Sequence, residues 1–415
     1  MTPFPRDPAP DATLALLRDG YEFVLNRCRR LGSDAFETRL MLSRAVCAYG
    51  EDAARTFYHP GRFTRNRAMP PTALRLLQDK GSVAVLDGAA HDRRKRLFLD
   101  VLSPDGVGRL VGRFEAEWRS ALGRWSASGP VVLHTEAEGV LCRAVCGWAG
   151  VPLSDAEAGR RAREFAAMID GAGAVGPRML RGLVLRRRTE RWAKGAVEAV
   201  RAGRLAAPEG TAVHAVAHHR DIGGNPLTPE AAAVELINVL RPTVAVARYV
   251  TFAALALHDH PGWADRLRAG GEAELTAFAQ EVRRFYPFFP LVGGRVREPF
   301  EWRGRRFAPG EWVLLDLYGT NHDGRTWPEP DAFRPERFLN RPVGPHELVP
   351  QGGGDMATDH RCAGEGATVE LVKAAARLLT REMRYEVPPQ DLRVRLSRMP
   401  AVPESRFVIA SVRRC

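Results

Sequence analysis

Lysine is nearly missing from this chain: of 415 residues only Lys80, Lys95, Lys194 and Lys373 are lysine. The net charge of +12, from 61 basic against 49 acidic residues, is therefore almost wholly arginine. A solvated cationic face accounts for most of such an excess, with nucleic acid, an anionic membrane and acidic ligands as the functional alternatives. The arginine runs at 160–163 and 181–191 lack interleaved aromatics or any reader motif, so solvated helix faces are expected there and no nucleic-acid partner. Cysteine is also sparse. Cys28, Cys47, Cys142, Cys146, Cys362 and Cys415 follow no framework spacing, which excludes a disulfide scaffold and suits a reducing, cytoplasmic setting. No uninterrupted apolar run reaches the ~20 residues of a membrane span. The nearest, 231–257, carries Glu235, Arg241 and Arg248, so no stable membrane insertion is expected. Met1 to Pro8 lacks the basic-then-apolar order of a secretory signal.

What the chain does have is apolar content, 45% of its residues. At this length that buries about three quarters of the unfolded surface, excluding a disordered chain or a stapled mini-protein. Helical spacing predicts helices over 12–18, 109–127, 154–169, 186–200, 229–258, 272–286 and 365–383. Ser154 and Glu157 form a capping-box pattern. Segment 298–317 reads as a twisted hairpin, 321–359 as irregular, and the tail as short strands. No linker or repeat divides the chain, so 1–415 reads as one domain, mainly α with small β-sheets. Cys142 and Cys146 fit one face of an apolar helix better than a metal site. His214 and His218 lack a following Glu and a third ligand, and read as a surface helix.

Arg241 lies within Ile237-Asn238-Val239-Leu240-Arg241-Pro242-Thr243-Val244-Ala245-Val246, between apolar turns. A guanidinium cannot shed its charge on burial and needs an anion or water. No carboxylate stands three or four positions away. Pro242 deletes a helical hydrogen bond and is expected to kink the helix there. A bound anion and an acid from another element both satisfy this reading. In the last third, Glu281-Val282-Arg283-Arg284 gives an ion-pair helix, Phe333 to Phe338 contains Arg337, and His360-Arg361-Cys362-Ala363-Gly364-Glu365 puts a cysteine at a helix start. Backbone N–H donors and the helix dipole there are expected to lower the Cys362 pKa, and Gly364 allows close approach of a flat cofactor. A catalytic thiol with His360 as base is the competing reading, but two residues' separation gives no dependable geometry.

On these residues the chain resembles the cytochrome P-450 superfamily, and within it the bacterial hydrogen-peroxide-dependent fatty-acid peroxygenases, over nearly its whole length. The most telling segments are Glu235 to Pro242, Asp316-Leu317-Tyr318-Gly319-Thr320-Asn321-His322-Asp323, and Arg398-Met399-Pro400 with Pro403-Glu404-Ser405. The resemblance implies the P-450 fold and haem b with Cys362 as axial iron ligand, a thiolate that favours O–O cleavage. Glu281, Arg284 and Arg337 correspond to the structural triad behind the haem, and Arg65, His91 and Lys95 to the propionate-binding positions. Arg241 and Pro242 correspond to the catalytic, substrate-carboxylate site. Relatives among monooxygenases carry an acid–threonine pair here, whereas Arg241-Pro242 precedes Thr243. A fatty-acid carboxylate on Arg241 would replace the missing acid–base group and assist cleavage of hydrogen peroxide, with no reductase needed. The products implied are α- or β-hydroxy acids, or terminal alkenes by decarboxylation. Ala84 replaces the family's glutamine or histidine and favours hydroxylation. Gln78 replaces an aromatic and Phe289 a small residue; with Phe288 and Leu291 they would shape the substrate pocket. Ala363 replaces a proline. The alternatives are a redox-partner-dependent monooxygenase and a non-catalytic haem-thiolate sensor.

Overall fold

A computed structural model describes residues 4–79 and 81–415; Met1 to Pro3, part of the segment read for a targeting signal, lie outside them. Its helices form where apolar spacing meets a cap. The Ser103 hydroxyl accepts the Gly106 N–H to open helix Pro104–Ala127, which buries Leu110, Phe114, Trp118 and Leu122. This start precedes the expected one because Ser-Pro supplies both an N-cap and a preset first turn. Helix Asp155–Gly171 opens on the expected Ser154–Glu157 box. The basic segment from 186 is the later part of a longer helix, Pro177–Arg201. Cys142 and Cys146 are buried along helix Leu133–Trp148. Among the described residues no three His, Cys, Asp or Glu side chains gather as a metal-binding group, and the rings of His214 and His218 lie 4.3 Å apart on helix Ala212–His218.

The long central helix runs Pro229–Ala245, breaks at Val246, and resumes as Ala247–Asp259. The expected kink at Pro242 thus falls four residues later. The Thr243 hydroxyl donates to the Val239 carbonyl at 2.9 Å, and the Val246 N–H reaches Thr243 O at 3.1 Å in a tighter i→i−3 bond. The misfit of the proline ring is taken up in that following turn. Over 31 residues the two parts are long and apolar enough to cross a membrane, but nearly all of that surface is buried in the protein's own core.

Strand structure departs most from expectation. Ala35–Leu40 and Ser43–Tyr49 form an antiparallel hairpin in a stretch where no strand is expected from the sequence. Phe300–Trp302 pairs only with Arg305–Phe307. Strand Trp312–Asp316 leaves that hairpin for a five-stranded sheet, where it lies parallel to Ser43–Tyr49 and antiparallel to Leu291–Val296. All five of its residues are buried. Trp312 and Leu314 pack with Phe23 and Phe36 on one face, while Val313 and Leu315 pack with Phe57 and Val349 on the other. The unbroken apolar stretch Trp312 to Leu315 is stabilised by two covered faces, which an isolated hairpin cannot offer. Helix Glu365–Arg377 passes through a π-helical segment, Leu378–Glu382, into strand Met383–Glu386, which pairs with Val408–Arg414.

Candidate active site

Cys362 stands just before helix Glu365–Arg377, its N–H donating to Gln351 O at 3.2 Å. The Gln351 amide nitrogen is 3.9 Å from the Cys362 sulfur and donates to Thr368 Oγ1 at 3.0 Å. Arg283, fully buried, fixes this turn: its Nη2 donates to Glu365 Oε1 at 2.6 Å and its Nε to Gln351 Oε1 at 3.2 Å. Arg361 holds the other Glu365 oxygen at 2.7 Å. Contrary to the expectation of a lowered pKa, burial pushes the Cys362 thiol up; the Gly364 N–H, Lys95 and Arg283 pull the other way. Desolvation outweighs the helix terminus here, and a bound metal is what would make the sulfur a thiolate outright. A side chain at Gly364 would put its Cβ 3.8 Å from that sulfur, so glycine leaves this flank of the sulfur open.

Beside the loop the structure gathers a cluster of cationic and titratable groups from three separate segments. Arg65 donates to Gly293 O at 2.8 Å, with its guanidinium 4.3 Å above the Phe57 ring. The turn that follows Arg65 packs closely on this strand, since a Cβ at Gly293 would strike Ala68 O at 2.0 Å. His91 and Lys95 come from helix Gly88–Val101. The His91 ring is 4.3 Å from the His360 ring, and Lys95 Nζ donates to the carbonyls of Asp359, at 2.8 Å, and Arg361. Burial depresses the pKa of each of these four groups, and the cations also oppose one another at His360. The buried Tyr58 hydroxyl faces Arg65 and makes no hydrogen bond of normal geometry among the described residues. Such a cluster suits an anion carrying more than one carboxylate, as the paired propionates of haem do. Tyr58 and His360 were not assigned to it from the sequence.

The Glu281 carboxylate is fully buried. Arg284 grips it with two bonds of 2.7 and 2.8 Å, the Arg334 N–H adds a third at 2.7 Å, and Arg337 Nε lies 3.4 Å away. Arg284 also bonds the carbonyls of Asn321 and Pro330, both at 2.9 Å. Helix Glu272–Phe285 and the irregular 321–337 segment are thereby locked together.

Arg241 is 5% exposed and meets no carboxylate among the described residues. Its Nη2 donates to the Leu77 carbonyl, and its Nε has no partner among the described residues. Burial and the nearby Arg186 push its pKa down to about 9, with the Cys362 sulfur acting in the opposite sense. Arg186, fully buried, bonds Glu190 at 2.8 Å and reaches the carbonyls of Leu76 and Gln78 at 3.5 and 3.4 Å, bracketing the carbonyl that Arg241 uses. Gln78 itself is exposed at the end of helix Pro71–Leu77. Ala84 sits in the turn Val83–Val85, whose first N–H donates to buried Glu235 at 2.8 Å; Glu235 also takes Arg94 at 2.6 Å. Phe288 stacks on Tyr249 at 4.3 Å, Phe289 turns to the sheet, and Leu291 packs on the sheet's opposite face. Arg186, Glu235, Arg283 and Gln351 were not singled out by sequence reasoning as site residues.

The cytochrome P450 family model matches residues 275–403. A putative cytochrome P450 137 of Mycobacterium tuberculosis is 27% identical over 330 residues, covering 74% of this chain and 67% of its own. Among solved structures, cytochrome P450SP alpha (CYP152B1) in complex with (R)-ibuprofen is 47% identical, covers 98% of this chain and 99% of that one, and superposes with a TM-score of 0.95. Cytochrome P450EX alpha (CYP152N1) with myristic acid is 41% identical over the full length of both chains, TM-score 0.97. A variant of cytochrome P450 OleT in complex with arachidonic acid is 32% identical, covers 100% of this chain and 99% of that one, and has a TM-score of 0.97.

Proposed function

This chain belongs to the CYP152 cytochromes P450, and from that premise we propose that it is a hydrogen-peroxide-dependent fatty-acid peroxygenase. The family cofactor is haem b on a cysteine thiolate, and when bound it supplies the centre that activates peroxide and oxidises a C–H bond. Cys362 would ligate the iron, and Arg65, His91 and Lys95, with His360, would receive the propionates. Glu281, Arg284 and Arg337 would hold the segment behind the haem.

The observation that carries the reading is Arg241, a buried guanidinium with one carbonyl for company and no acid. A fatty-acid carboxylate would supply its missing anion through a charge-assisted bond and fix the chain end near the cysteine. The same carboxylate would accept and return a proton during peroxide cleavage, a task that needs an acid–base group within reach. No residue of the turn competes for it. The Thr243 hydroxyl is spent on Val239 O at 2.9 Å, and Glu235 on Arg94 and Val83. This favours peroxide over the redox-partner-dependent alternative. Ala84 offers no side-chain hydrogen bond toward the carboxyl end, which favours hydroxylation over decarboxylation. Hydroxylation consumes one peroxide and releases one water; alkene formation would release carbon dioxide and two waters.

The test is purified holoenzyme with saturated fatty acids of graded length, hydrogen peroxide, and mass spectrometry of the products. Hydroxy acids at the α or β carbon are expected from the native protein and none from Arg241→Ala. Turnover by Arg241→Ala equal to the native enzyme would sink the proposal. So would turnover that needs a reductase and ferredoxin.

A further inference from the structure

A second buried arginine site lies two helical turns beyond Arg241, about 10 Å along an ideal axis. Arg248, on helix Ala247–Asp259, is 1% exposed. Its Nη2 donates to Asp170 at the end of helix Asp155–Gly171, but its Nε and Nη1 are buried without any partner among the described residues. Arg406 brings an Nη2 to 3.7 Å from the other Asp170 oxygen, and its Nε is likewise buried and unpartnered. The charge of Arg398 favours the ionised form of Asp170, and its Nε too has no acceptor among the described residues.

The charges do not balance. Two guanidiniums, Arg248 and Arg406, reach Asp170, the one carboxylate that pairs with either among the described residues, and the charge of Arg398 acts on it as well. Glu138 turns to His134 at 3.3 Å and Glu404 to Arg395 at 3.1 Å. Burial lowers the His134 pKa, and its Nδ1 is engaged with Thr251 Oγ1 at 2.9 Å; with Glu138 counted beside Asp170, the three guanidiniums still outnumber the carboxylates. Buried N–H donors are rarely left open, and those of a permanent cation least of all. A large ligand is excluded by tight packing: a Cβ at Gly173 would come within 2.7 Å of Met399, on the segment that carries Arg398.

We infer that Arg248, Arg398 and Arg406 form a binding site for one small inorganic anion, of chloride or nitrate size, separate from the substrate carboxylate on Arg241. The anion joins three distant parts of the chain, the end of helix Asp155–Gly171, the second half of the central helix, and the 398–406 segment. That segment also reaches the proposed pocket, because the Ala401 N–H approaches the Tyr21 hydroxyl at 3.4 Å, and that hydroxyl donates to Phe288 O at 2.7 Å.

Thermal melts of the holoenzyme at constant ionic strength, exchanging bulky gluconate for chloride or nitrate, test the site. A saturable rise in Tm is expected for the native protein and for Arg241→Ala, and none for Arg248→Met. If Arg248→Met does not fold, the partly exposed Arg406→Gln is expected to weaken the apparent anion affinity about tenfold, as loss of one charge-assisted bond would. A bromide-soaked crystal would place an anomalous peak against Arg248 Nη1. A Tm indifferent to the anion, or a rise equal in all variants, would mean that only water fills the site and overturns the inference. Persistence of the response in Arg241→Ala separates this outcome from failure of the peroxygenase reading.

Discussion

Arg241 is costly to the empty protein. A buried cation without a counter-ion destabilises the fold, and a neutral side chain of similar length relieves that cost. Arg241→Met is therefore expected to melt higher than the native holoenzyme when both are free of substrate. The order reverses on adding fatty acid: at a hundredfold excess over Kd the native protein gains about 2.7 kcal/mol and the variant far less. Melts with and without a long-chain acid check both halves, and a native protein that fatty acid fails to stabilise would refute the pairing. This residue was legible in the sequence, because a charge between apolar turns violates the helix's own pattern. Arg186 was not. It sits in a run of arginines that look alike on paper, and only packing distinguishes it, fully buried, from exposed Arg187 and Arg188. Gln78 shows the converse, since its exposed position does not follow from its place in the motif.

At the scale of elements, the ion-pair helix was readable from Glu-x-x-Arg spacing together with Arg337, because a helix places i and i+3 on one face. The strand Trp312–Asp316 was not, since an unbroken apolar run does not say which partners cover it. The Glu281 cluster gives a strong expectation. Glu281→Gln keeps the shape but removes the charge that serves Arg284 and Arg337, and breaking a buried pair in this way costs ~3–5 kcal/mol. Denaturant unfolding of the holoenzyme is expected to show that loss, with faster haem release. A midpoint within experimental error of the native one would mean the two arginines are held well enough by their carbonyl partners. Glu235→Ala acts on another joint. It leaves Arg94 uncompensated and frees the Val83–Val85 turn from the central helix, so it is expected to raise KM for fatty acids as well as lower Tm.

Over the whole molecule, the arginine excess is not merely the solvated face that composition suggested. Arg186, Arg248, Arg283 and Arg284 are among the largest fully buried side chains. A chain so dependent on interior ionic and polar contacts has an acid-side weakness, and His322 makes it measurable. Burial, with Arg284 nearby, pushes its pKa down to about 3. The unfolded chain takes up a proton below about pH 6.5 that the folded state refuses, so stability falls as pH drops, by about 1.4 kcal/mol per unit until about pH 3. The melting temperature is expected to decline more gently between pH 6.5 and 4 in His322→Asn, whose amide can still donate to the Tyr318 carbonyl that accepts from His322 Nδ1 in the native protein. Parallel declines in the two proteins would assign the acid lability elsewhere.

Strand Trp312–Asp316, paired in parallel with Ser43–Tyr49 through Ala45 and Trp312, also sets a clock on biosynthesis. The edge of the early hairpin cannot be covered until the chain has grown by roughly 270 residues, which takes on the order of 13 to 50 s on the ribosome. For that interval an apolar, hydrogen-bond-hungry edge is open to any other nascent strand. The yield of soluble protein is thus tied to translation speed between these two strands: slow codons there lengthen the exposure, and chaperones that cover strand edges shorten its consequences.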